Sequence, residues 1–115
     1  MTSNLEWLQN FYLFLCDGEW EHGYGFAIDN CDNPGWLFKF ELTDTVYAQF
    51  AGPEISLGEH QLEEGHDWLV LKREGTSIKG ACGPLKLDAL LGEFRGWIGN
   101  VDAALESERS LSAQN

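Results

Sequence analysis

Two apolar stripes of helical period stand near opposite ends of this chain, and the segment between them has the period of strands. Leu5, Leu8, Phe11, Tyr12 and Leu15 recur at spacings of three and four, with Trp7 and Phe14 flanking them. This spacing predicts a helix, capped by Ser3 or Asn4, with Glu6 suited to its positive end. Asp17-Gly18 stops it, because glycine readily takes the left-handed conformation that ends helices. Leu87, Leu90, Leu91, Phe94, Trp97, Ile98 and Val101 predict a second helix, ending at Gly99-Asn100 or near Leu105. A helix with one apolar stripe must bury it, and 115 residues hold one core. Both helices therefore need a common surface.

The middle of the chain supplies one. Tyr24, Phe26 and Ile28 alternate with Gly25, Ala27 and Asp29. After the turn signal Asp32-Asn33-Pro34-Gly35, Trp36, Phe38, Phe40 and Leu42 alternate with Leu37, Lys39 and Glu41. Period two on both sides of a turn predicts an antiparallel hairpin. Val46, Tyr47 and Phe50 lie in a less regular stretch expected to cover the core as a loop. Ile55-Ser56-Leu57 opens a third strand that ends before Glu63-Glu64-Gly65-His66. Strands at about Asp67 to Arg73 and Ser77 to Cys82 flank Glu74-Gly75-Thr76. The expected fold is α+β: an N-terminal helix, an antiparallel meander of four to six strands and a C-terminal helix, with both helices packed on one sheet face. The expected domain is residues 1–106, followed by a flexible polar tail, 107–115.

Charge is distributed unevenly along the chain. Up to Leu71 there are 13 acids and one base, Lys39, giving −12; beyond it six acids and six bases cancel. Phosphate binding draws on clustered Lys and Arg, so nucleic acid and anionic membrane surfaces are poor ligands for this chain. A basic protein partner suits it better, since complementary fields speed encounter. The three cysteines, Cys16, Cys31 and Cys82, form no paired framework. The N-terminus lacks the basic start and apolar run of a signal peptide, so a reducing cytoplasm is the expected compartment.

Candidate chemistry is sparse. His22, His60 and His66, with Cys16 or Cys31, lack the close spacing of zinc ligands. No cofactor-binding or catalytic motif is present in the sequence. Cys82 precedes Gly83-Pro84 at a sheet-to-helix turn, where helix amides would lower a thiol pKa, so a thiol-dependent sulfurtransferase is the enzymatic alternative. The densest segment is Cys16-Asp17-Gly18-Glu19-Trp20-Glu21-His22. Its carboxylates surround a tryptophan, a residue type that anchors protein interfaces. The expected partner-binding set is Asp17, Glu19, Trp20, Glu21 and His22, with Asp32 and Asn33 as a second patch if the two turns adjoin. Burial of Trp20 in the core is the competing account of the same segment. Glu21 and His22, read as strand neighbours, point to opposite faces.

Several pieces together resemble the immunity protein 53 family of bacterial polymorphic-toxin systems. They are Trp7-Leu8-Gln9 with Phe11-Tyr12, the Cys16 to His22 run with Tyr24-Gly25, Asp32-Asn33-Pro34-Gly35-Trp36, and Gly83-Pro84 ahead of a helix holding Phe94-Arg95 and Trp97. Phe11 and Glu19 depart from the Trp and Asp that are frequent in the family, and Gly92, Gly96 and the tail are particular to this chain. The resemblance implies an immunity protein that neutralises a cognate toxin, and it implies no catalytic residue, cofactor or metal. A generic acidic adaptor for a basic protein is the remaining alternative.

Overall fold

The computed structural model describes residues 2–58 and 66–113. The elements are α1 (Asn4–Leu15), α2 (Trp20–Gly23), β1 (Phe26–Cys31), β2 (Gly35–Glu41), β3 (Glu54–Gly58), β4 (Trp68–Glu74), β5 (Ser77–Cys82) and α3 (Leu87–Ala113). The expected class holds: two long helices pack on a five-stranded antiparallel sheet. Ser3 is the N-cap of α1, its Oγ accepting from the Glu6 amide at 3.1 Å.

The strand order is β1-β2-β5-β4-β3. The order departs from sequence order after β2, where the chain runs past the ends of β5 and β4 to the far edge. Residues 42–53 make that crossing and form a 3-10 turn, Val46–Gln49, on the way. Tyr47 is buried, its ring meeting Phe11, and its hydroxyl donates to Asp102 Oδ1 at 2.7 Å. Arg73 donates through its guanidinium to the carbonyls of Ala48 and Phe50. The irregular stretch therefore covers the core, and a β4 arginine and an α3 carboxylate hold it there.

Register assigns the two sheet faces. Phe26, Phe40 and Ile78 share one face, as do Ile28, Phe38, Gly80, Leu71 and Ile55. This face carries the core against α1 and α3. Phe94 of α3 sits at its centre, with ring centroids 5.2 Å from Phe38, 5.2 Å from Phe40 and 5.7 Å from Trp7. The other face has no helix over it among the described residues. On it Lys39 of β2 pairs with Lys79 of β5, and Lys79 with Lys72 of β4. Like charges directly opposite each other destabilise a ladder. Glu41 and Glu74 offset the repulsion, lying 3.1 Å from Lys39 and 3.5 Å from Lys79.

The second helix continues past Gly99-Asn100 and past Leu105 to Ala113, so it enters the stretch expected to be a tail. Val101 is buried and Leu105 packs on the core, which keeps the stripe useful beyond the glycine. Ala103, Ala104 and Glu106 are good helix formers.

Replacing Phe94 with Ala removes the ring that joins both helices to the sheet. Urea unfolding should show a loss of about 3–5 kcal/mol. A loss below ~1 kcal/mol would mean that Phe94 is not central to the packing.

Candidate functional site

The segment between α1 and β1 is a self-capped turn. Cys16 leaves α1 with extended dihedrals, and Gly18 follows at φ 97°, where a side chain would be strained. Asp17 Oδ1 accepts from the amides of Trp20 at 2.8 Å and Glu19 at 2.9 Å, opening α2 as an N-cap does. Glu21 reaches back and accepts from the amides of Asp17 and Gly18, each at 3.0 Å. Amides left over at the start of a short helix are thus satisfied by two carboxylates of the same segment. The Trp20 amide, then that of Glu19, holds the Asp17 carboxyl below its ordinary value. Glu21 is lowered likewise, first by its own amide and then by those of Asp17 and Gly18.

Trp20 fastens this turn to the fold. It is only 5% exposed and packs among Tyr12, Tyr24 and Phe40. Its indole Nε1 donates to the Thr43 carbonyl at 3.0 Å. The expected contact anchor is therefore corrected: a buried ring cannot meet a partner without dismantling the corner. Glu21 and His22 lie on the helical turn α2, not on a strand as expected. Asp17, Glu19 and His22 are exposed, and Glu21 is half-buried. Asp17 and Glu21 hold the turn, whereas no hydrogen bond or ion pair of the Glu19 carboxylate is seen among the described residues.

Asp32 and Asn33 do not join this site. The turn enters β1 at Phe26, while Asp32 follows Cys31 at the strand's other end. Five residue steps of strand separate the two by roughly 16 Å, so the two turns do not adjoin. Beside the acidic turn lies an open depression of about 460 Å³, lined by Gly23, Tyr24, Gly25, Phe26, Lys39 and Glu41. Glu41 accepts there from Ser77 Oγ at 2.6 Å and Thr43 Oγ1 at 3.2 Å, and the Ser77 bond leads in holding its carboxyl down.

The enzymatic alternative loses its nucleophile. Cys82 shares the core face of β5 with Ile78 and Gly80, is 0% exposed, and burial pushes its thiol pKa up. Helix amides do not reach it as expected, because α3 begins only at Leu87. A buried thiol held protonated is a poor sulfur acceptor. Among the described residues no group of three or more His, Cys, Asp or Glu is arranged to hold a metal; His60 lies outside them.

Two other tryptophans repeat the pattern of Trp20. Trp36 Nε1 donates to the Pro84 carbonyl and Trp97 Nε1 to that of Ala51, each at 3.0 Å. A Cβ on Gly35 would stand 2.4 Å from the Cys82 carbonyl oxygen, so glycine permits that close approach. The recognisable sequence pieces thus meet one another inside the fold.

Phe14, expected beside the buried stripe of the first helix, is 72% exposed, and its neighbour Leu13, which the sequence reading does not single out, is 68% exposed. The available signal was charge: α1 contains one ionisable acid, Glu6, and no base, whereas a surface helix ordinarily turns charged residues outward.

A family model described as immunity protein 53 matches residues 5–99. No curated protein and no solved structure matches the chain. No helix of the described residues is long and apolar enough to cross a membrane.

Lowered carboxyl pKa values give this turn an acid dependence of known sign. Stability from Asp17 and Glu21 is complete above their ordinary values of 3.8 and 4.5 and is lost as pH falls through the lowered folded values. Asp17→Ala should lower the melting temperature at neutral pH, and Asp17→Asn should restore much of it, since Asn also caps. Both variants should flatten the acid limb of a stability–pH profile. An acid limb unchanged in both would show that Asp17 does not hold the turn.

Proposed function

Because the chain belongs to the immunity protein 53 family, we propose that it binds and neutralises a cognate toxin, and that it works by occupation of a surface and not by catalysis. The match over residues 5–99 carries this reading. The buried Cys82 thiol adds to it, since the most credible nucleophile is closed off. Toxin and inhibitor meet in the cytoplasm of the producing bacterium or its kin, as polymorphic-toxin systems require.

The toxin is a basic protein, most simply a nuclease. Nucleases attract phosphate, so the surfaces around their active sites are often positive. An excess of 12 negative charges complements such a surface and speeds docking. The turn from Asp17 to His22 supplies two carboxylates already fixed in place, Asp17 and Glu21, whose charges need no ordering on binding, and a third, Glu19, that is free to meet the partner. Direct contact with nucleic acid or membrane forms no part of this function.

Glu19 is the clean probe, because replacing Asp17 or Glu21 would also disturb the turn. The test measures binding of the toxin domain encoded beside this gene, by stopped flow across a salt series. Wild type should bind it, and Glu19→Lys should slow association several-fold at low salt and weaken the salt dependence. Absence of binding by the wild type contradicts the proposed function. Unchanged kinetics in Glu19→Lys remove that carboxylate from the encounter.

A further inference from the structure

We propose that the outer side of α1, centred on Leu13 and Phe14 and continued by Glu19 in the next turn, is the surface that receives the toxin. This inference rests on the toxin-neutralising function above and names the face that serves it.

Leu8 and Phe11 already give α1 a core-facing side. The side turned away carries Leu5, Leu13 and Phe14, all well exposed, with Glu6, Gln9 and Asn10 exposed between them. Among the described residues, none of the three belongs to the hydrophobic core or to the side chains packed against it. Exposed apolar area beside a polar rim marks an interaction site. Aromatic rings that can be fully covered tend to dominate binding energy. Phe14 therefore fills the role that residue type alone would give to Trp20.

Charge decides the occupant. The carboxylates of Asp17, Glu19 and Glu21 begin three residues after Phe14, and α1 itself carries no base. Arg95 of α3 lies over Trp7 beside the N-terminal end of the helix, so a basic partner is attracted chiefly to the C-terminal end, where Leu13 and Phe14 meet the acidic turn. The uncovered sheet face is the alternative platform, but its charge is mixed: the row of Lys39, Lys79 and Lys72 across three neighbouring strands is interleaved with Glu41, Glu74 and Glu54. A basic protein finds there no border of a single sign like the one that follows Phe14. A second copy of this chain is disfavoured on α1, since it would bring two acidic turns and two chains of charge −12 together. Apolar contact with an acidic border fits a partner that presents an apolar pocket rimmed by Lys or Arg.

The test compares three proteins against the purified toxin domain encoded beside this gene, by calorimetry and size-exclusion chromatography. They are wild type, the double variant Leu13→Ser/Phe14→Ser, and Leu37→Ser on the uncovered sheet face, where Leu37 is 47% exposed. All three substituted positions are exposed, so melting temperatures should stay close to wild type. The double variant should lose about 30-fold or more in affinity, and Leu37→Ser should stay within roughly twofold. Equal affinity of the double variant and wild type overturns the assignment of the face while leaving the toxin-binding function intact. So does a loss confined to Leu37→Ser, or a wild-type dimer that the double variant dissolves without a change in toxin affinity. A wild type that does not bind the toxin overturns both readings.

Discussion

Three indole N–H groups hold the connections of this fold onto its core. Trp20 donates to Thr43, Trp36 to Pro84 and Trp97 to Ala51, in every case to a carbonyl outside the sheet ladder. Trp20 is buried, and a buried tryptophan must find a partner for its N–H; Trp36 and Trp97 are half-buried against the core. A connection leaving a strand must also satisfy backbone groups that no neighbouring strand reaches. The corner after α1, the crossing from β2 to β3, and the turn from β5 into α3 are all fixed in this way. Arg73 and the Tyr47–Asp102 pair tighten the crossing further.

The recognisable residues of this chain are therefore mostly architecture. Asp17, Gly18, Trp20 and Glu21 shape one corner; Gly35, Trp36 and Pro84 bring the β1–β2 hairpin against the end of β5. A motif of acids around a tryptophan suggests an interface by composition, yet most of its hydrogen-bonding capacity is spent within the segment. What remains available for recognition lies beside it, on Glu19, His22 and the outer side of α1. Exposed positions of that kind can change without large cost to the fold, so an immunity protein can alter its contacts while keeping its internal fastenings.

Much of the fold was legible because period and burial agree. The stripe of α1 from Leu8 to Leu15, the alternation of Trp36 to Leu42 and the stripe of α3 read correctly, since each element buries one side only; Leu5, expected in the same stripe, is exposed instead. The failures have particular physical causes. α2 spans four residues, Trp20–Gly23, too few for any period to show. The run of α3 past Gly99 was hidden by a helix-weakening glycine whose cost the buried Val101 outweighs. The order of the strands depends on where residues 42–53 travel, and that is set by long-range contacts of Tyr47 and Arg73 that no local pattern reveals. At the candidate site, Trp20 was ambiguous by type, while the separation of Asp32 from the acidic turn followed from hairpin geometry alone. Cys82 shares alternation with Ile78, so its inward direction was also legible in the strand pattern.

The central claim is that Trp20 and its carboxylates build the corner while Leu13 and Phe14 meet the toxin. Hydroxyl-radical footprinting with mass spectrometry reads both halves in one experiment, because oxidation follows side-chain exposure. In the free protein Phe14 should be strongly oxidised and Trp20 weakly. In the complex Leu13 and Phe14 should become protected while Leu37 keeps its free-state rate. Strong oxidation of Trp20 in the free protein, or protection that falls on Leu37 and leaves Phe14 unchanged, would contradict the account.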